Sequence, residues 1–204
     1  MLLYVIDDED IIRDALILLF KSRGIKAIGF ASANAFLDAI NEHAIHFDQP
    51  ACILLDVRMP QMSGLELFDI LFERQLHQQA PVIFLTGHGD VPMAVEALKK
   101  GAFDFFEKPF NDNKLVDRVL EALNQAQRTT HLSAQKHQVH EDLASLTDRE
   151  KEVMTLILAG KYNKVIADQL GISMRTVEVH RARIFDKMHV KSAVELAQLL
   201  KNLD

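Results

Sequence analysis

Five short apolar runs, Leu2 to Ile6, Lys26 to Phe30, Ala51 to Leu55, Pro81 to Leu85 and Phe103 to Phe106, alternate with longer segments of helical period such as Ile11 to Lys21 and Val91 to Lys100. Runs of this length between helical segments predict strands, and their regular alternation with helices leaves a parallel sheet covered on both faces as the natural solution. Gly24 and Gly101 stand just beyond two of the helical segments, where a left-handed stop costs glycine least, and Ser32 is placed to cap the helix that follows it. The fold class expected for the first part of the chain is therefore α/β, a (βα)5 domain, with the flavodoxin-like strand order 2-1-3-4-5 as one of the common doubly wound arrangements open to it. That order sets the first and third strands side by side where the winding reverses, and ligands bind beyond the carboxyl ends of strands at such a point.

The residues at those ends carry chemistry. Asp7 and Asp8 follow the first strand, Asp56 the third, Thr86 the fourth, and Lys108-Pro109 the fifth. Three carboxylates brought together raise one another's proton affinity unless a cation sits among them, and Mg2+ suits a site of few carboxylates with water completing its shell. One aspartate, with Asp56 the candidate, is then free to act as nucleophile on an activated phosphoryl group, with Thr86 and Lys108 neutralising the equatorial oxygens. Taken alone, Asp7-Asp8-Glu9-Asp10 would also serve as an acidic helix start. Gly87 and Gly89 beside His88 have no Walker or dinucleotide spacing and suit a loop connecting to the fourth helix.

Four runs extend this. VIDDED (5 to 10), LLDVRMPQMSGLEL (54 to 67), FLTGHGD (84 to 90) and GAFDFFEKPF (101 to 110) resemble, in order and spacing, the receiver domain of bacterial two-component response regulators, and the surroundings of Asp56 and Thr86 look most like the FixJ subfamily. The resemblance implies that Asp56 accepts a phosphoryl group from a sensor histidine kinase. It further implies that Asp8, Asp56 and the backbone carbonyl of Arg58 hold Mg2+, with Asp7 supporting the metal through water, and that Thr86 and Lys108 grip the phosphate. Phe105 would be the aromatic partner of Thr86 in the switch, and the Lys108-Pro109 bond would be cis.

Charge separates the chain into unlike parts. Residues 1 to 123 contain 11 Lys/Arg against 19 Asp/Glu, and residues 143 to 204 contain 10 against 8, so all the acidity lies in the first part. Within the second, Arg175, Arg181, Arg183, Lys187 and Lys191 face only Glu178 and Asp186, a local basic stripe of the kind that meets a nucleic-acid backbone. Thr147 with Glu150 and Ser192 with Glu195 form capping-box patterns that start the first and last of four expected helices. Between them a short helix over 163 to 170, a Gly171-Ile172-Ser173 turn and a helix over 174 to 188, with Ser173 as its cap, make a helix-turn-helix whose second helix would enter the major groove.

The run from 146 to 190 resembles the LuxR-type helix-turn-helix of the FixJ/NarL regulators. By position that family would bring Glu178, Val179 and Ala182 to base edges and Lys164, Arg175, Thr176, Arg183 and Lys187 to phosphates or the groove wall. A glutamate can accept from cytosine N4 and a valine can contact a thymine methyl. Two positions depart from the family's common residues, Glu178 where many relatives carry Lys or another polar residue, and Tyr162 where Ser is common.

The expected organisation is a receiver over 1–123, a linker over 124–142 whose lack of Gly and Pro leaves a helical extension open without fixing its conformation, and an all-α helix-turn-helix domain over 143–204. Leu132, Val139 and Leu146 recur at heptad spacing, a hint of paired helices, while His131, His137 and His140 match no metal-site spacing. The single Cys52 lies in an apolar run and is expected to be a buried strand residue. No apolar run approaches the roughly 20 residues of a membrane span, and the start of the chain has no secretory pattern, so the cytoplasm is expected and no membrane partner. The function expected is a phosphorylation-activated transcription regulator that dimerises through the receiver and binds operator DNA. It is not an enzyme beyond the turnover of its own aspartyl phosphate, and RNA polymerase is a further candidate partner. Two rivals are a constitutive DNA-binding protein with a silent receiver and a Mg2+-dependent aspartyl phosphatase; the second usually needs an acid two residues beyond its nucleophile, where this chain has Arg58.

Overall fold

Central to the first unit is a parallel sheet of β1 (Leu2–Ile6), β2 (Lys26–Phe30), β3 (Ala51–Asp56), β4 (Val82–Thr86) and β5 (Asp104–Glu107), in the order β2-β1-β3-β4-β5. The computed structural model describes residues 1–45, 47–87 and 91–201. The expected loop over Gly87 to Gly89 therefore falls largely on residues outside those described. β1 and β3 are hydrogen-bonded neighbours, with Ile6 opposite Leu55, and β3 pairs with β4 so that Asp56 stands opposite Leu85. All residues of β1, β3 and β4 are buried because helices cover both faces, which is why these strands read as continuous apolar runs rather than alternating ones. β4 and β5 each begin and end one residue later than the apolar runs suggested, since Pro81 and Phe103 stand outside the ladder.

Helices α1 (Asp10–Ser22), α2 (Ala33–Asn41), α3 (Gly64–Glu73), α4 (Val91–Lys99) and α5 (Asp112–Ala144) complete the five units. On one face Leu16 and Phe20 of α1 pack with Leu115, Val116, Val119 and Leu123 of α5; on the other Phe36, Leu67, Phe68 and Leu71 pack against Tyr4, Ile53 and Phe84. Ser32 Oγ accepts from Ala35 N as expected, and Ser63 and Glu66 form a full capping box at the start of α3. Cys52 is fully buried, and that burial pushes its thiol pKa up.

The chain divides into two units, Met1–His131 and Leu132–Asp204. Residues 124 to 142 are helical throughout, as part of α5. The second unit continues with α6 (Asp148–Leu158), α7 (Asn163–Leu170), α8 (Met174–Lys187) and α9 (Ala193–Lys201). Its core joins Val139 and Leu146 to Val153, Ile157, Ile166, Val177, Ile184, Met188 and Leu196. Two of the three heptad leucine and valine positions are thus occupied within their own unit, and Leu132 alone is exposed, at 60%. Intramolecular packing thus accounts for Val139 and Leu146 but not for Leu132. Thr147 and Glu150 form both halves of their capping box. Ser192 Oγ caps Glu195 N, but the Glu195 carboxylate takes the Lys191 N–H instead of the Ser192 N–H.

Candidate functional site

Because β1 and β3 run parallel as neighbours, Asp7, just past β1, meets Asp56, the last residue of β3. Asp7 is fully buried and Asp56 is 6% exposed. Lys108, the residue that follows β5 and precedes a cis peptide bond to Pro109, places its Nζ 2.9 Å from Asp7 Oδ2 and 2.6 Å from Asp56 Oδ1. The second oxygen of Asp56 accepts from Arg58 N at 2.8 Å, and Asp7 Oδ1 accepts from Glu9 N at 2.9 Å. Burial raises the Asp56 pKa, with the hydrogen bond and charge of Lys108 acting against it and the charge of Asp7 adding to it. Burial by itself would lower Lys108, but its hydrogen bonds to Asp56 and Asp7 outweigh that and leave it raised. The ammonium is therefore firmly charged.

Thr86 is buried at the end of β4, and its hydroxyl donates to Gly87 O at 3.0 Å. Phe105 is half-buried and lies opposite Phe84 in the β4–β5 ladder. Asp8 is exposed and lines an open cleft with Val57, Arg58, Met59, Pro60, Ser63 and Met93. The acids are thus a buried pair, Asp7 and Asp56, and one solvent-facing member. Among the described residues no three acidic, cysteine or imidazole side chains form a ready-made metal cage. Carboxylates of Asp7, Asp8 and Asp56 beside an open cleft nevertheless fit Mg2+, which keeps several waters and takes few protein ligands.

Gly64 belongs to this site and was not singled out in the sequence. It is the first residue of α3, donates its N–H to Val57 O at 3.0 Å, and passes so near β3 that an added Cβ would lie 2.0 Å from the Asp56 carbonyl oxygen. Only its position in the run Met62-Ser63-Gly64 could have drawn notice. Position 58, where a phosphatase would hold its acid, contributes a backbone N–H to the site.

In the second unit the helix-turn-helix is formed by α7 and α8. Gly171 takes a left-handed φ of 64° to end α7, and Ser173 Oγ accepts from Thr176 N to begin α8. Arg175, Glu178, Val179, Ala182 and Arg183 are exposed, while Val177 and Ile184 are buried, so the residues expected at base edges share the outward face with the two arginines. Lys164 is exposed in the first turn of α7; Thr176 is half-buried, its hydroxyl 2.8 Å from Ser173 Oγ. Lys187, also expected at the DNA backbone, is half-buried, and its Nζ donates to Glu150 Oε2 at 2.7 Å and to Ser145 O at 3.0 Å. His137 lies 3.4 Å from Glu141 on an exposed helix face, and His140 meets the Lys136 carbonyl.

Both halves match known families. Residues 3–120 fit the response regulator receiver domain, and residues 144–200 fit the luxR family of bacterial regulatory proteins. The chain belongs to the response-regulator family. This regulator is 46% identical over 196 residues to the C4-dicarboxylate transport transcriptional regulatory protein DctR of Rhodobacter capsulatus, spanning 96% of this chain and 97% of that one. It is 43% identical to the transcriptional regulatory protein FixJ of Bradyrhizobium diazoefficiens, spanning 97% and 93%. Among solved structures it resembles the response regulator StyR with a TM-score of 0.87 at 36% identity, spanning 98% of both chains. Full-length FixJ from B. japonicum gives 0.59 at 41% identity, spanning 99% and 96%. The regulator thus joins a receiver to a LuxR-type DNA-binding domain, as transcriptional response regulators do. No helix among the described residues is long and apolar enough to cross a membrane.

Proposed function

We propose that phosphorylation of Asp56 switches this regulator between two packings of its receiver and so controls operator binding. The observation that carries the reading is the buried Asp56 carboxylate, held between the Lys108 ammonium and the Arg58 N–H beside Asp7. One Asp56 oxygen attacks the phosphorus of a donor phosphohistidine; the new P–O bond forms as the P–N bond breaks, and the imidazole leaves. Lys108 stabilises the added negative charge, and the Thr86 hydroxyl exchanges its Gly87 partner for a phosphate oxygen. Mg2+, held by Asp8, Asp56 and the Arg58 carbonyl with Asp7 behind a water, would supply charge neutralisation at the phosphoryl oxygens.

Movement of Thr86 leaves room into which Phe105 turns, and the face of α4 and β5 becomes self-complementary. A receiver dimer then presents two copies of α8 to half-sites about one helical turn of DNA, or a multiple of it, apart. Glu178, Val179 and Ala182 meet base edges, and Lys164, Arg175, Thr176 and Arg183 meet the backbone. The regulator therefore works in the cytoplasm with a sensor histidine kinase, DNA, a second copy of itself and RNA polymerase as partners, and it turns over no substrate other than its own phosphoryl group. We assign the receiver to 1–123, the helical linker to 124–142 and the DNA-binding domain to 143–204.

Native mass spectrometry after incubation with Mg2+ and a small acyl-phosphate donor, beside Asp56→Asn, tests this reading. The expected result is a phosphorylated dimer from wild type and an unmodified monomer from the variant. Phosphoryl uptake by Asp56→Asn at the wild-type rate would overturn the assignment, and equal operator affinity with and without donor would favour the silent receiver.

A further inference from the structure

The first turn of α6 grips the ends of both helices of the helix-turn-helix. The Arg149 guanidinium donates to Leu170 O, the last carbonyl of α7. The next residue, Glu150, is 2% exposed, and its carboxylate accepts from Thr147 N at 2.9 Å and from Nζ of Lys187, the last residue of α8, at 2.7 Å. The same ammonium donates to the carbonyl of Ser145, the residue that follows α5. Lys187 keeps only one-third of its side chain exposed.

Hydrophobic contacts of Val177, Ile184 and Met188 hold α8 against its neighbours but tolerate sliding and rotation, whereas charge-assisted hydrogen bonds have direction. A buried ion pair adds little net stability over an apolar pair of equal shape, so its geometric constraint is what distinguishes it. We propose that Glu150 and Lys187 form a clamp that sets the pitch of α8 on DNA, making both positioning residues and removing Lys187 from the phosphate contacts. Arg175 lies twelve residues from Lys187, about 18 Å along a helix, so a tilt of about 10° at the clamped end moves the base-reading end by about 3 Å. Hydrogen bonds to base edges do not survive such a displacement.

The inference rests on α8 being the DNA-reading helix, and the test separates the two. Full-length protein treated with acyl phosphate and Mg2+ is titrated over a salt series onto a duplex that the wild type has enriched from a random library, and onto its scrambled counterpart. The variants are Lys187→Met, Glu150→Gln and the double variant, which leaves no unpaired buried charge and so keeps the fold, each verified by circular dichroism. Arg183→Met and Val179→Ala serve as controls for α8. The clamp predicts that discrimination between the duplexes falls about tenfold, the scale of one lost base contact, while the slope of log affinity against log salt stays at the wild-type value. A slope reduced by about 0.9 in Lys187→Met would make Lys187 a phosphate contact and overturn the inference. Unchanged discrimination with unchanged slope in the folded double variant would leave the pair only stabilising, and would overturn it equally. Wild-type binding by both control variants would instead remove α8 from the DNA, a failure of the underlying reading.

Discussion

Replacing Gly64 by alanine should damage the phosphoacceptor although it looks favourable locally. In a first helical turn alanine is better than glycine by about 0.5–1 kcal/mol. At this position, however, the new Cβ would lie 2.0 Å from the Asp56 carbonyl oxygen and 3.1 Å from Leu55 Cγ, and real Cβ contacts essentially never fall below 3.0 Å. Something must move by about 1 Å, and the atom struck is backbone, as is the Cα that carries the new Cβ. β3 is buried along its whole length and paired on both sides, so the start of α3 has to yield. That costs the Gly64 N to Val57 O hydrogen bond, worth about 1 kcal/mol, and strains the seating of Leu67 and Phe68. With overpacking of about 3 kcal/mol added, the net loss is about 3 kcal/mol of receiver stability. Whatever part of the strain reaches Asp56 shifts the attacking oxygen, and a displacement of about 1 Å is worth about a hundredfold in rate. Urea unfolding and the rate of phosphoryl uptake from an acyl-phosphate donor, followed by intact mass, measure both effects. A Gly64→Ala protein with wild-type midpoint and wild-type uptake would refute the steric reasoning.

Lys108→Ala leaves Asp7 and Asp56 facing each other without their ammonium; urea midpoints should fall by the equivalent of about 3 kcal/mol without divalent cation and recover in part with Mg2+, and a midpoint insensitive to both changes would be inconsistent with the charge balance described. Chelating divalent cations should stop phosphoryl uptake by the wild type, whereas undiminished uptake in chelator would exclude the metal role of Asp8 and Asp56. Glu150 is held at about 2 from an ordinary value of 4.5, first by the Lys187 hydrogen bond and then by the Thr147 N–H. A lowered carboxyl pKa contributes stability that is full above pH 4.5 and is lost as the pH falls through about 2. The difference in urea midpoint between wild type and Glu150→Gln should accordingly shrink across that interval, and a constant difference would count against the pairing.

Local order was legible in the sequence wherever one residue type has one efficient use. Short apolar runs spaced by helical segments dictated the five strands and their sheet, because strands buried on both faces must be apolar throughout. Thr147 with Glu150 and Ser173 before Met174 announced their helix starts through hydrogen bonds made within three residues. The heptad of Leu132, Val139 and Leu146 was visible but ambiguous, since the same spacing serves a partner helix or the helix's own domain. Asp7, Asp56, Thr86 and Lys108 could be named from their places at strand ends, and the FixJ-like runs gave them roles.

The amino-acid sequence by itself determined the two folds, the family and the group of residues at the carboxyl edge of the sheet, because these follow from patterns repeated over many positions. Tertiary structure alone decided how single side chains are used. It brought Lys108 across 52 residues onto Asp56, pressed α3 so close to β3 that position 64 admits no Cβ, and set Lys187 against a buried glutamate. Such pairings join segments far apart along the chain, and a charge or a glycine carries no mark of what will stand beside it until packing brings the two together.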